Sequence, residues 1–455
     1  MEKALSLFPI FLLFVATLYM ATALPPFVSP DEFDHIERAY LLAQGQFLLE
    51  TKDGFSSGGA VDKGLLEYMG YFTDLRLDPE ARISASVLDE AARSAWTGEK
   101  TYETLPGTGY YFPVIYLPQA TAIWIGQTLD LSIASTYQLV RLITLGTGLV
   151  ILGMAFQIVA PSSVVLALFS LPMMLFQTAL PTIDFVTMAL LALTLSQFLR
   201  FATVDTRASS ASVLLFGACI VVIAGCRLHM APLVLLPMFL GLKSRDARFV
   251  VLSVVLSVFI VAWNGMAVLN TVDLRITQNV PPAEILKFYI SDPFAFVRVL
   301  WTTLTTGPIL LHYWYSFLGK LGWLDITLNV SQYRFLGFLL VGIVLTTLLT
   351  KERQRNPAIV LTFFAVAVSA VIIVFFSLLV SWTPHPAAFV HGVQGRYFLP
   401  IALILAYLTS AAPRPSEASI LIRSADTALL ATLFAFSVLL VTKASQARYF
   451  EAVVQ

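Results

Sequence analysis

Long apolar runs separated by polar punctuation set the pattern of this chain. The first run covers 5–24 and is followed by a polar stretch to about 110. Further runs lie at about 112–129, 137–159, 164–179, 185–201, 213–226, 231–242, 249–269, 335–349, 359–380, 397–408 and 427–441. A bilayer's hydrocarbon core is crossed by about 20 apolar helical residues, so the pattern predicts an all-α polytopic membrane protein. Glu2 and Lys3 before the first run and A-T-A at 21–23 also fit a cleavable signal peptide. Its length is long for a signal core and predicts a retained helix.

Orientation follows from the basic loops. K-S-R-D-A-R (243–248), K-E-R-Q-R (351–355) and the stretch 414–423 are short and rich in Lys and Arg, which assigns them to the cytoplasm. If every run up to 269 crossed, 243–248 would fall outside, so one run must be partial. The run 164–179 is short, bracketed by Pro161 and Pro181 and interrupted by Pro172, and is taken as that one. The reading that results has about 11 crossings plus one or two partial helices, in a single membrane domain over 1–455. Three segments then face outward: a large first loop (25–110), a second segment (270–332) and a third loop (381–396).

The first loop carries 15 of the chain's 28 acidic residues against seven basic ones, and its apolar anchors predict a folded segment. Within it, G-F-S-S-G-G (54–59) reads as a flexible turn. The stretch 78–96 reads as a short amphipathic helix with Ile83, Val87 and Trp96 on one side. In the second segment the Trp- and Tyr-rich piece 297–317 suits the membrane interface or a partial insertion.

Composition agrees: 58% of the 455 residues are hydrophobic and 12% charged, half the charge of an average soluble domain. The net charge of +0 suggests no nucleic-acid partner, and the surroundings are membrane lipids. Cys219 and Cys226 share one apolar run and would stand about 10 Å apart along a helix, too far for a disulfide.

Candidate chemistry concentrates in S-P-D-E-F-D-H-I-E-R (29–38), just after the first run. Ser29 and Glu32 form an S-x-x-E capping box with Pro30 at the first helical position, which accounts for those three as an ordinary helix start. Asp31 and His35 are one turn apart, where a carboxylate and an imidazole can share a proton or orient each other. The third loop offers H-G-V-Q-G-R-Y (391–397). Arg396 has the forked donors suited to a phosphate, and Gly392 and Gly395 around Gln394 permit close backbone approach to a ligand, with Tyr397 beside them. Arg227 and His229 lie at the outer tip of a tight hairpin, and Lys320 in L-G-K-L-G-W precedes a helix from outside. Each of these three can complete a cationic cradle or serve as an interfacial charge. Asp184 follows Pro181 at a helix start, where the helix dipole favours a carboxylate.

No H-E-x-x-H, C-x-x-C pair, P-loop or G-x-G-x-x-G is present. No metal signature and no cofactor is assigned, although Asp31, Glu32 and Asp34 offer oxygen ligands to a divalent cation.

Four pieces carry a family resemblance: P-D-E-F-D-H-I-E-R-A-Y (30–40), Y-F-P-V-I-Y-L-P (111–118), P-T-I-D (181–184) and G-V-Q-G-R-Y-F-L-P (392–400). Together they resemble the bacterial DUF2142 membrane proteins, a group placed with the GT-C glycosyltransferases. The resemblance implies a multi-span enzyme of the bacterial inner membrane, working on its periplasmic or outer face. It implies a polyprenyl-phosphate sugar as donor, with a glycan or lipid as acceptor. The acid after the first helix, Asp31 or Glu32, would be the catalytic base, and Asp184 would be a second acidic position. The chemistry of inverting transfer asks for the same parts: a carboxylate to take the acceptor proton and cations at the departing phosphate, here Arg396 with Arg227, His229 or Lys320. A lipid-linked glycan polymerase or ligase is the nearest alternative. A secondary transporter fits less well, because the polar residues gather at one surface and no repeat is apparent.

Overall fold

The computed structural model describes residues 2–204, 208–275, 280–350, 356–410 and 420–451. Of the basic loops, 243–248 is described, whereas 351–355 and the 414–419 part of the third lie outside these residues. Among the described residues six helices are long and apolar enough to cross a membrane: Ile133–Ile158, Asp184–Thr203, Ala247–Asn270, Val330–Leu349, Pro357–Ser381 and Ile420–Tyr449. A seventh exists if Pro293–Thr305 and Gly307–Leu318, bent by 72°, form one span. The first helix, Glu2–Ala23, has 22 residues. The remaining apolar helices are shorter than a bilayer requires: Ser210–Cys226, Leu228–Ser244 and Gly395–Thr409 have 10–17 residues. The run at 112–129 is cut by Pro113 and Pro118 into a 3₁₀ turn, Pro113–Tyr116, and a helix, Leu117–Thr128.

Asp184–Thr203 is the central helix. Its apolar window is 83% buried, against 28% for Ala247–Asn270, whose Val261 and Leu269 point outward as a lipid-facing helix requires. Ile133–Ile158 packs beside it, and Gly148 makes that approach close, since a Cβ there would stand 2.4 Å from the Phe185 ring. The run 164–179 is two short helices, Ser163–Phe169 and Pro172–Thr178, separated at Ser170 and Leu171. Ser162 caps the first and Pro172 opens the second. Ile420–Tyr449 packs on both, Val330–Thr350 on the first and Gly307–Leu318 on the second.

The polar stretch after the first helix is a folded cap. Glu32–Ala43 lies on Leu117–Thr128, and Gly58–Asp62 pairs antiparallel with Lys100–Thr104. The stretch 54–59 is thus not a flexible turn throughout. Gly58 and Gly59 are in the ribbon, and a Cβ on Gly58 would meet the Glu103 carbonyl at 1.7 Å. The helix expected over 78–96 is confined to Ala85–Ala91, because Arg448 binds the carbonyls of Leu75, Asp78 and Ala81 and holds the preceding backbone irregular. The Asp62 carboxylate ties the ribbon to 97–98 by accepting from the Gly64, Thr97 and Gly98 amides.

One buried cation fixes the entry to the site. Arg141, inside the Ile133–Ile158 span and 2% exposed, donates to the carbonyls of Ala21, Leu24 and Pro25. These are the orphan acceptors at and just past the end of Glu2–Ala23, and satisfying them inside an apolar bundle holds the chain where 29–38 begins.

Candidate functional site

The helix carrying the acidic motif starts two residues later than its capping box predicts. Asp31, not Ser29, is the N-cap, with φ 65° in the left-handed region, and the helix runs Glu32–Ala43. Only half of the box forms: the Ser29 amide donates to Glu32 Oε2 at 3.0 Å, while Ser29 Oγ has no hydrogen-bond partner among the described residues. Glu32 is fully buried, and its other oxygen accepts from the Tyr137 hydroxyl, which Arg141 also contacts. Burial pushes the Glu32 carboxyl upward, with Arg141 opposing. Both oxygens of Glu32 are committed inside the protein, so of the two candidate bases only Asp31 faces outward.

The Asp31 carboxylate pairs with Arg396, 3.3 Å away. His35 is held separately, its Nδ1 2.8 Å from the Tyr116 hydroxyl. Burial lowers the His35 pKa to about 4, against the opposing charges of Asp31 and Asp184, so the ring is neutral at pH 7. Burial keeps the Tyr116 phenol protonated.

Three expected residues, Asp184, Arg227 and Arg396, converge behind Asp31. Asp184 opens its helix with 15% of its side chain exposed and is ion-paired to Arg227, itself 16% exposed. Arg396 Nη1 stands 4.0 Å from the same carboxylate, and Gln177 donates to it at 3.2 Å. Two guanidiniums thus share one buried carboxylate, and the Arg396 side chain is only 10% exposed. Taking Asp31 as the movable outer group, the inner trio has an uncompensated positive charge, an arrangement that favours a bound anion.

Arg396 owes its position to Gly395. A Cβ there would stand 2.1 Å from the Tyr313 carbonyl and 2.2 Å from the Phe317 amide, so only glycine lets the 3₁₀ turn Gly395–Phe398 lie on Gly307–Leu318. The Gly395 amide donates to Ser316 Oγ at 2.7 Å. Gly392 (φ 76°) likewise abuts Trp382. The two glycines therefore serve approach to the protein's own helix and indole, not to a ligand as the spacing suggested.

A cavity of about 20 Å³ opens between Asp184, Arg227, His229, Arg396 and Tyr397, room for one water. A smaller one, about 10 Å³, lies on the other side of Gln177 and Arg396 and is walled by Ser29, Pro30 and Lys320. Buried Arg396 Nε and His229 Nε2 have no hydrogen-bond partner among the described residues. Gln394 lines neither cavity, although its Oε1 is also buried and unpartnered.

Three residues that sequence reasoning passed over belong here. Gln177 bridges the two cavities, Tyr116 fixes His35, and Tyr111 covers Arg227, its ring centroid 5.8 Å from the guanidinium carbon. Both tyrosines stand in Y-F-P-V-I-Y-L-P, so that stretch held the signal. The carboxylates of 31–34 do not gather around a cation: Glu32 points inward, Asp31 toward Arg396 and Asp34 toward Arg275, 3.6 Å away. Among the described residues no group of three His, Cys, Asp or Glu side chains could hold a metal ion. Cys219 and Cys226 are free and buried.

Comparison with known proteins matches residues 12–405 to a family described as predicted membrane protein (DUF2142). The match covers most of the chain, which therefore belongs to the DUF2142 family and is a multi-pass membrane protein. Neither the curated proteins nor the solved structures give a match.

Proposed function

We propose that this DUF2142 chain is a glycosyltransferase of GT-C type that moves a sugar from a polyprenyl-phosphate donor to a glycan or lipid acceptor at the outer face of the bacterial inner membrane. The observation that carries the reading is the pair of nearly buried guanidiniums, Arg227 and Arg396, held by one carboxylate beside an exposed Asp31. The arginines receive the phosphate, with Arg396 Nε and His229 Nε2 as further partners and Lys320 from the adjoining wall. Asp31 takes the proton of the acceptor hydroxyl as its oxygen attacks the anomeric carbon. The bond from that carbon to the phosphate oxygen breaks, and its electron pair leaves with the lipid phosphate, where the guanidiniums stabilise the charge. Attack from the face opposite the phosphate inverts the configuration.

Asp184 is the counter-ion that holds both arginines, and His35 is a neutral neighbour fixed by Tyr116. The broken helices and the bent pair supply apolar surface for the prenyl tail. Placing the cradle outside rests on the basic loop at 243–248 together with a count of about 11 crossings, in which the first helix, Leu117–Thr128 and the three shorter apolar helices span beside the six longer ones and the bent pair inserts only partly.

The test is reconstitution of the purified chain in liposomes with a panel of polyprenyl-phosphate sugars and a membrane glycan extract. Release of polyprenyl phosphate that depends on acceptor, and is lost in Asp31→Ala, is expected. Growth of the acceptor by whole glycan blocks would support a polymerase or ligase, and passage of substrate across the bilayer without bond cleavage would support a transporter.

A further inference from the structure

The two carboxylates that touch Arg396 differ in how firmly they are held. Asp184 is 15% exposed and has three partners, Arg227, Gln177 and the guanidinium of Arg396. Asp31 is 59% exposed and makes a single end-on contact at 3.3 Å. Its φ of 65° is a conformation that Asp tolerates better than most residues, and it stands the carboxylate at the rim rather than in the wall. A single contact to a carboxylate standing largely in solvent is weak. Arg396, in contrast, is 10% exposed, and its buried Nε has no hydrogen-bond partner among the described residues. Its fork is built to take an anion stronger than the one it now touches.

We infer that the Asp31 carboxylate is the resting occupant of the Arg396 anion position and that an incoming phosphate displaces it, so that Asp31 becomes available as a base only once the donor is seated. This rests on reading the cradle as a phosphate site. While Asp31 is paired, the guanidinium draws its negative charge and occupies one of its oxygens. When phosphate oxygens take the Arg396 fork, the carboxylate is released and turned by their repulsion toward the acceptor side. One side-chain rotation then couples donor binding to proton abstraction, which protects the donor from an activated base before an acceptor arrives. Asp184 cannot perform this exchange, because Arg227 and Gln177 keep it in place.

The test uses farnesyl phosphate as probe, titrated into the full chain in detergent micelles. Asp31→Asn and Asp31→Gly both suit a left-handed N-cap, so the helix start is kept. Removing a competitor should tighten binding of the probe about 1.5- to fivefold in each, while sugar transfer falls. Asp34→Asn is the control, since it deletes a charge three residues away that pairs with Arg275 instead. Tightening in both Asp31 variants well beyond that in Asp34→Asn supports the exchange. Unchanged or weaker binding in the Asp31 variants, or equal tightening in all three, overturns it. Transfer that fails with every donor while the exchange is seen would refute the glycosyltransferase reading alone. Transfer that proceeds without tightening would refute the exchange alone.

Discussion

Replacing Arg396 by lysine keeps the charge and removes the fork, which separates a phosphate clamp from a helix anchor. In the structure Nη2 faces Asp31, Nη1 lies 4.0 Å from Asp184, and Nε is buried without a hydrogen-bond partner among the described residues. A lysine ammonium can occupy one of these positions and leaves at least one charge-assisted hydrogen bond to the phosphate unmade. Such a bond contributes about 1.5–3 kcal/mol, and a donor aimed at charge developing in the transition state contributes at the upper end. The expected loss is therefore about 10- to 100-fold in turnover. Folding should hold, because Arg227 still neutralises Asp184. The assay is release of polyprenyl phosphate by reconstituted protein under saturating donor, beside thermal unfolding in detergent. A lysine variant within twofold of wild type would refute the argument, since an anchoring residue needs only the charge and an apolar stem.

Two further outcomes follow from the packing and titration around the site. Gly395→Ala forces a methyl against backbone atoms of Gly307–Leu318 at 2.1 and 2.2 Å, so overpacking of about 1–3 kcal/mol and displacement of Arg396 are expected; unchanged unfolding temperature and transfer rate would contradict this. His35 and Asp34 titrate in opposite senses. The His35 pKa is depressed to about 4 by burial, so between about 4 and 6.5 the unfolded chain binds a proton the folded one does not, and stability rises with pH. Burial, with Asp31 adding, raises Asp34 to about 6, so between about 4 and 6 the folded chain binds the extra proton and stability falls with pH. Relative to wild type, His35→Phe should lose the rising component across that window and Asp34→Asn the falling one. Unfolding curves from pH 4 to 7 whose differences have the same sign would exclude the assignment.

The membrane character and the convergence of 31, 184, 227 and 396 were legible because charge is costly in an apolar chain. Each of those residues interrupts or borders an apolar run, and the turns between runs are where polar groups can meet. Which carboxylate faces outward was not legible. Asp31 and Glu32 are adjacent, and their separation into rim and core depends on a left-handed φ and on Tyr137, 105 residues away. The roles of Gly392 and Gly395 were misread for a related reason: a glycine needed for close approach looks the same in sequence whether the approaching group is a ligand or the protein's own helix. Arg141 carried a signal, a lone cation within an apolar run, but its partners are carbonyls more than 100 residues earlier. The crossing count was the weakest part, since apolar composition does not say whether a 12-residue helix spans or stops.

The most direct test of the account is the cell's own surface glycan. Deleting the gene, analysing surface polysaccharide by mass spectrometry and linkage, and complementing with wild type or with Asp31→Ala compares the chain with and without its proposed base. The account predicts that one sugar disappears, returns with wild type, and stays missing with Asp31→Ala despite normal membrane insertion. A glycan unchanged by deletion, or restored fully by Asp31→Ala, would contradict it.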